Sequence, residues 1–236
     1  MNPQYDSPTR DFFEVDASTD VRLAFLRRVY AHVFAAIIGL VAVSAVIVQS
    51  GVLEQFLPAM MNYWWVALLA FMAVSWVAQK MATSGASTGT QYAGLSLYVL
   101  AEAVIFAPMI YLVHNVLQAD GLFLQAGFLT LLIAGGLTAV VFMTKADFSF
   151  LRGAVFVGML LAVGLIFGGM MFGFDLGLWF SVALVGLMAM TILYQTSEIY
   201  HHWDPRYHVA AALAIFSSVA TLFYYVLRIL IALSDD

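Results

Sequence analysis

The chain has 236 residues, of which 64% are hydrophobic and only 10% charged, with a formal net charge of -5. Soluble domains carry about 45–50% apolar and about 25% charged residues, so an ordinary soluble core is excluded. The acidic balance, with no basic stretch interleaved with aromatics, argues against a nucleic-acid surface. The absence of cysteine removes disulfide frameworks, haem attachment and Cys-based zinc sites.

Residues 1–20 place Asp6, Asp11, Glu14, Asp16 and Asp20 in polar surroundings. They read as a disordered acidic tail without the pattern of a signal peptide. Residues 21–236 form the second unit. Within it, apolar runs of about 20 residues, enough to cross a bilayer, fall at 29–49, 63–81, 91–113, 122–144, 153–174, 178–196 and 209–233. Lipid tolerates no exposed loops or sheet edges, so all seven runs are predicted helical and the fold class is an all-α polytopic membrane bundle.

The basic residues set a direction for it. Arg10, Arg22, Arg27 and Arg28 precede the first run, Lys80 ends the second, Lys145 and Arg152 bracket the fourth-to-fifth turn, and Arg206 lies between the sixth and seventh. All of these fall on one side, and only Arg228 goes against the bias. The positive-inside rule then predicts a cytoplasmic N-terminus and a C-terminus on the opposite face.

The fourth and fifth runs carry Gly127, Gly135, Gly136, Gly158, Gly164, Gly168, Gly169 and Gly173, which predicts close helix packing within the chain, with an oligomer interface as the alternative. No internal repeat suggests a transporter with inverted halves.

Polar residues at membrane depth are the functional candidates, because each is unfavourable there unless paired or hydrated. Glu102 stands mid-way along the third run, and Gln91 and Tyr98 share its helical stripe. It reads either as a proton- or cation-handling site or as a neutral acid hydrogen-bonded between helices. Pro108 removes the bond to the Val104 carbonyl and predicts a kink or a freed carbonyl nearby. In the seventh run Ser218, Thr221, Tyr225 and Arg228 follow steps of three, four and three, one polar stripe on one face. This predicts a central last helix. For Arg228 the simpler alternative is snorkelling to the interface.

Four stretches resemble one family: FLRRVY at 25–30, TKADFSFLRG at 144–153, LYQT at 193–196 and LRIL at 227–230. Together they are similar to the Bax inhibitor family, the transmembrane Bax-inhibitor-motif proteins with bacterial YccA-type members, over nearly the whole chain from Phe25. The resemblance implies a seven-helix fold with a central last helix. It further implies a pH-sensitive calcium or proton leak proposed for family members, and in bacterial members an association with a membrane-anchored AAA protease.

The chain departs from that family where the resemblance places a pair of carboxylates acting as a pH-sensing gate. It has Gln195 and Ser218 there. These neutral groups cannot share a proton as two carboxylates do, but they can hydrogen-bond as a latch, with proton sensing lost or passed to Glu102 or Glu198. This departure shifts the expected function from a leak toward a regulator of membrane partners.

The stretch 198–208 holds His201, His202, Asp204 and His208 without a recognisable metal spacing. It reads as an interfacial loop with Tyr200, Trp203 and Tyr207 at headgroup level, and no metal or cofactor is expected. Lys145 and Asp147 are expected to pair in the other loop. An intramembrane hydrolase would need Ser217 or Ser218 beside a general base, and no base is visible. The chain is therefore expected not to be an enzyme. Its expected partners are the lipid bilayer, and either an AAA protease or the ions themselves. The compartment expected is a bacterial inner membrane.

Overall fold

A computed structural model describes residues 21–84 and 87–234 in full, and residues 9–20 as helical backbone alone. The expected tail at 1–20 lies outside the fully described residues. Among the described residues eight α-helices follow one another: α1 Thr9–Gln49, α2 Val52–Asn62, α3 Trp64–Ala82, α4 Thr88–Tyr111, α5 Gly121–Thr144, α6 Arg152–Phe172, α7 Gly177–His201 and α8 His208–Ser234. Among the described residues there is no strand, and seven helices are long and apolar enough to span a bilayer. The fold is an all-α polytopic membrane bundle.

Several boundaries differ from the sequence expectation. The first membrane-length segment is Val21–Gln49, so Arg22, Arg27 and Arg28 lie within the helix and not ahead of it. α2 occupies a stretch read as a loop, because apolar Leu53, Phe56, Leu57, Met60 and Met61 recur at helical spacing that is too short to span. α4 runs through Pro108 to Tyr111 and then widens into one π-helical turn, Leu112–Val116. Such a turn is one way for a helix to accommodate backbone groups freed by a proline.

The bundle is built around α8. It packs against α1, α3, α4, α5 and α7, and 67% of its apolar window is buried, against 11% for α3 and for α6. Two apolar clusters meet on it. Ala211, Ile215, Val219 and Leu222 belong to one, and Val209, Leu213, Phe216 and Ala220 to the other. In a bilayer it is the polar stripe that draws such a helix into the interior of the bundle. Large apolar side chains on the outer helices, such as Phe34, Phe128, Leu131 and Trp179, are exposed and face the lipid.

Of the glycines predicted to pack closely, Gly158 does so, for a Cβ there would stand 2.5 Å from Leu187 Cδ1 on α7, but most of the others do not. A Cβ added at Gly127, Gly135, Gly136 or Gly164 would meet nothing within 4 Å. Gly168 and Gly169 lie against Phe174, and Gly173 ends α6 with φ +72°, so these three shape the α6–α7 turn. The tight backbone contact is at Gly94 on α4, where a Cβ would stand 2.6 Å from the Ala78 carbonyl oxygen and 2.8 Å from the Ala82 nitrogen. Because both are backbone atoms, α3 must move to admit even a methyl group.

Gly94→Ala is therefore expected to destabilise the protein by about 1–3 kcal/mol, the usual range for overpacking. Gly135→Ala should stay within about 0.5 kcal/mol of wild type. Thermal unfolding in detergent reads both, and equal stabilities would contradict the α3–α4 contact.

Candidate functional site

The polar stripe of α8 lies against its neighbours. Ser218 is buried, and its Oγ donates to Gln195 Oε1 on α7 at 2.9 Å. This bond ties α7 to α8 inside the bundle with no charge at either end. One turn further on, Thr221 Oγ1 donates back to the Ser217 carbonyl at 2.8 Å, the usual way for a helical hydroxyl to satisfy itself. Tyr225 packs edge-on against Phe180 and Tyr224.

Beyond this bond a cavity of about 580 Å³ opens toward the face from which α8 emerges. Glu102, Thr221, Tyr225 and Arg228 all line it. The sequence had presented Glu102 and the α8 stripe as two constellations; the fold makes them one. At 1.5 Å per residue, Thr221 lies roughly 5 Å and Arg228 roughly 15 Å beyond Ser218 toward that face. The other walls come from α2 and α3 (Met60, Trp64, Phe71), α6 (Ile166, Met170) and the α6–α7 turn (Phe174, Asp175). Neither Gln195 nor Ser218 is part of the lining, so the cavity ends before their bond.

Glu102 is 4% exposed, and its Oε2 has no hydrogen-bond partner among the described residues. A carboxyl oxygen left unsatisfied at membrane depth is costly, which is why intramembrane acids mark functional sites by default. Of its stripe partners, Tyr98 places its hydroxyl beside the Glu102 carboxyl, whereas Gln91 is engaged elsewhere. Gln91 Nε2 donates to the Ser84 carbonyl at 3.2 Å and closes the α3–α4 turn. Tyr98 packs against Phe71 and Phe216.

Glu198, Lys145 and Asp147 lie at the opposite face, far from the cavity. The expected Lys145–Asp147 pair does not form. Asp147 Oδ1 instead accepts from the Ser149 backbone N–H at 2.8 Å and from Ser197 Oγ at 3.4 Å. The Ser149 N–H, with the nearby His202 and His201, holds the Asp147 carboxyl below the usual carboxylate range. Lys145 takes a left-handed conformation, φ 51°, that turns its carbonyl toward His201 Nε2 at 3.2 Å. Buried Ser197, which sequence reasoning passed over, accepts from Phe148 N–H at 2.8 Å and so fastens this turn to α7. Glu198 has His202 Nδ1 as a neighbour at 3.7 Å.

The 198–208 stretch is less of a surface loop than expected. Tyr200 and Trp203 pack on the core, and the Trp203 carbonyl accepts from Arg22 at 2.7 Å. Its donors also disperse. His208 turns to His32, with ring centroids 5.2 Å apart, and His32 Nε2 bonds to the Tyr92 hydroxyl at 2.9 Å. Asp204 pairs with Arg206 at 2.7 Å, which holds its carboxyl down at about 2. Among the described residues no three His, Asp or Glu side chains are grouped to hold a metal ion. Ser217 Oγ donates to the Ala214 carbonyl at 3.3 Å.

Sequence reasoning missed the cavity walls on α2 and the α6–α7 turn. Asp175 and the methionines of α2 carried no motif; the packing of α2 against α3 brings the methionines to the site, and the α6–α7 turn brings Asp175.

Seven spanning helices, the last of them polar-striped and enclosed by five of the others, with a buried acid lining a cavity, define a class of integral membrane protein. The family described as Inhibitor of apoptosis-promoting Bax1 matches residues 22–235. The chain belongs to this Bax inhibitor family. An uncharacterized protein of Pseudomonas aeruginosa is 34% identical over 110 residues, a stretch covering 46% of this chain and 49% of that protein. The match thus spans about half the length of that relative.

The Gln195–Ser218 bond should give a measurable coupling. A double-mutant cycle with Gln195→Leu and Ser218→Ala is expected to return about 0.6 kcal/mol and no more than about 1.7 kcal/mol, the range for interhelical bonds in membranes. Strictly additive stabilities would contradict the bond.

Proposed function

We propose that this protein is a slow cation or proton leak of a bacterial inner membrane, closed at Gln195 and Ser218, with Glu102 as its acidic site. The observation that carries this reading is the cavity that runs from one face as far as a buried carboxylate and stops short of the Ser218–Gln195 bond. An open vestibule on one side and a neutral plug on the other are what a closed conduit requires. The plug can open when one hydrogen bond exchanges, whereas an acidic pair would open by titration. Arg228 at the mouth opposes cation entry and suits a leak over a high-conductance channel. By the positive-inside rule the cavity faces away from the cytoplasm and the N-terminus lies inside. No enzymatic role is assigned.

A second reading is favoured by one specific observation. With Gln195 and Ser218 where the resemblance places two aspartates, the chain lacks that gate. It would then serve as a YccA-type regulator of a membrane-anchored AAA protease, with residues 1–20 offered to the protease.

Calcium and proton flux into liposomes containing purified protein separates the two. The leak reading predicts flux above empty vesicles, lost in Glu102→Gln and raised in Ser218→Ala. Wild-type flux unaffected by Glu102→Gln would remove Glu102 from the path. No flux in either wild type or Ser218→Ala would contradict the leak and leave the protease regulator.

A further inference from the structure

The chemistry of the cavity is more specific than that of a water-filled vestibule. Its volume, about 580 Å³, lies within the roughly 300–1,000 Å³ of small-molecule sites. Its walls are aromatic from several sides: Phe71 on α3, Phe106 on α4, Phe180 on α7, and Tyr224 and Tyr225 on α8. These rings are packed against one another, Phe106 edge-on to Tyr224 at 5.5 Å and Phe180 edge-on to Tyr225 at 6.1 Å, so the wall is rigid. Two acids line it: exposed Asp175 in the α6–α7 turn and, at membrane depth, Glu102, buried and with an unpartnered oxygen. Arg228 does not neutralise Glu102, for no ion pair joins the two among the described residues. By helical rise Arg228 is roughly 10 Å nearer the surface than Thr221.

A hydrated inorganic ion gains little from such walls. A large cation whose charge is spread under an apolar surface gains from all of them: ring faces attract it, its surface replaces water against the aromatics, and the carboxylate supplies the counter-charge. Access suits this ligand as well. The lining draws on both α3 and α6, and it includes the exposed apolar side chains Met61 and Trp64. A ligand already dissolved in the bilayer can meet these exposed apolar side chains directly.

We propose that this cavity is a binding site for lipophilic organic cations, of the quaternary ammonium or phosphonium class, with Glu102 as counter-ion and Phe71, Phe106 and Tyr225 as the aromatic wall. The proposal rests on Glu102 being the acidic site of the cavity, and it does not require that inorganic ions move.

Tetraphenylphosphonium binding to the full chain in lipid nanodiscs tests it, read by equilibrium dialysis and by quenching of tryptophan fluorescence, since Trp64 is part of the lining. Saturable binding is expected. Glu102→Gln should weaken it about tenfold or more, the scale of losing a charged partner. Tetraphenylborate, of the same shape and opposite charge, should not compete. A second variant, Ala67→Trp, fills the cavity from α3 without touching the carboxylate and should also abolish binding. It decides the matter if Glu102→Gln does not fold by size exclusion. Equal affinity in both variants, or equal competition by tetraphenylborate, would overturn the proposal and leave an apolar crevice filled by lipid chains. Phosphonium binding without any ion flux would instead sink only the leak. Flux without binding would sink only this proposal.

Discussion

A hydroxyl, amide or carboxyl group inside a bilayer finds no water, so it must meet another part of the protein or a hydrated space. That constraint organises this molecule. Ser218, Thr221, Tyr225 and Arg228 lie along one face of α8, and a helix so marked cannot sit at the lipid boundary. α8 is accordingly enclosed by five other helices. Its residues are then satisfied by position: Ser218 by Gln195, Thr221 by its own backbone, and Tyr225 and Arg228 by a cavity.

Several buried groups leave the constraint unmet, among them Ser44, Ser75, Thr130, Ser181 and Thr196, but Glu102 is the ionisable one. Every surrounding element contributes apolar or aromatic surface, and one carboxyl oxygen has no partner. Natural cores rarely leave a buried acid in this state unless it works, because the energy lost could be recovered by a single substitution to Leu or Gln. The same reasoning separates the two ends of the chain's polarity. At the opposite face Asp147, Ser197 and His201 are engaged in hydrogen bonds that fasten a turn, and they serve the fold. At membrane depth the buried acid, with one oxygen free, is the candidate site for a ligand or an ion.

Much of this was legible in the sequence, for physical reasons. The seven spans were legible because spanning helices need long apolar runs, and the central place of α8 because its polar residues keep one helical period. The Gln195–Ser218 pairing could be read from matched depth in adjacent helices. Other features could not. The glycines of α5 and α6 looked like packing devices, yet most face open space, since spacing alone does not say which face a helix presents. Gly94, isolated in sequence, makes the close backbone contact. Lys145 and Asp147 looked like an ion pair, but a short turn gives its carboxylate to its own backbone more readily than to a flexible lysine. α2 was unreadable as a helix because its Pro58 and short length resemble a loop, and with it the cavity was invisible.

The central claim is that Thr221 is reached from the face where α8 emerges and sealed from the other by the Ser218–Gln195 bond. The chain has no cysteine, so Thr221→Cys introduces the sole thiol. Its labelling by a small membrane-impermeant thiol reagent, applied to either side of oriented vesicles, is the most direct measurement. The account predicts rapid labelling from the α8-emergent side and none from the other. Labelling from both sides, or only from the side where α1 begins, would contradict it.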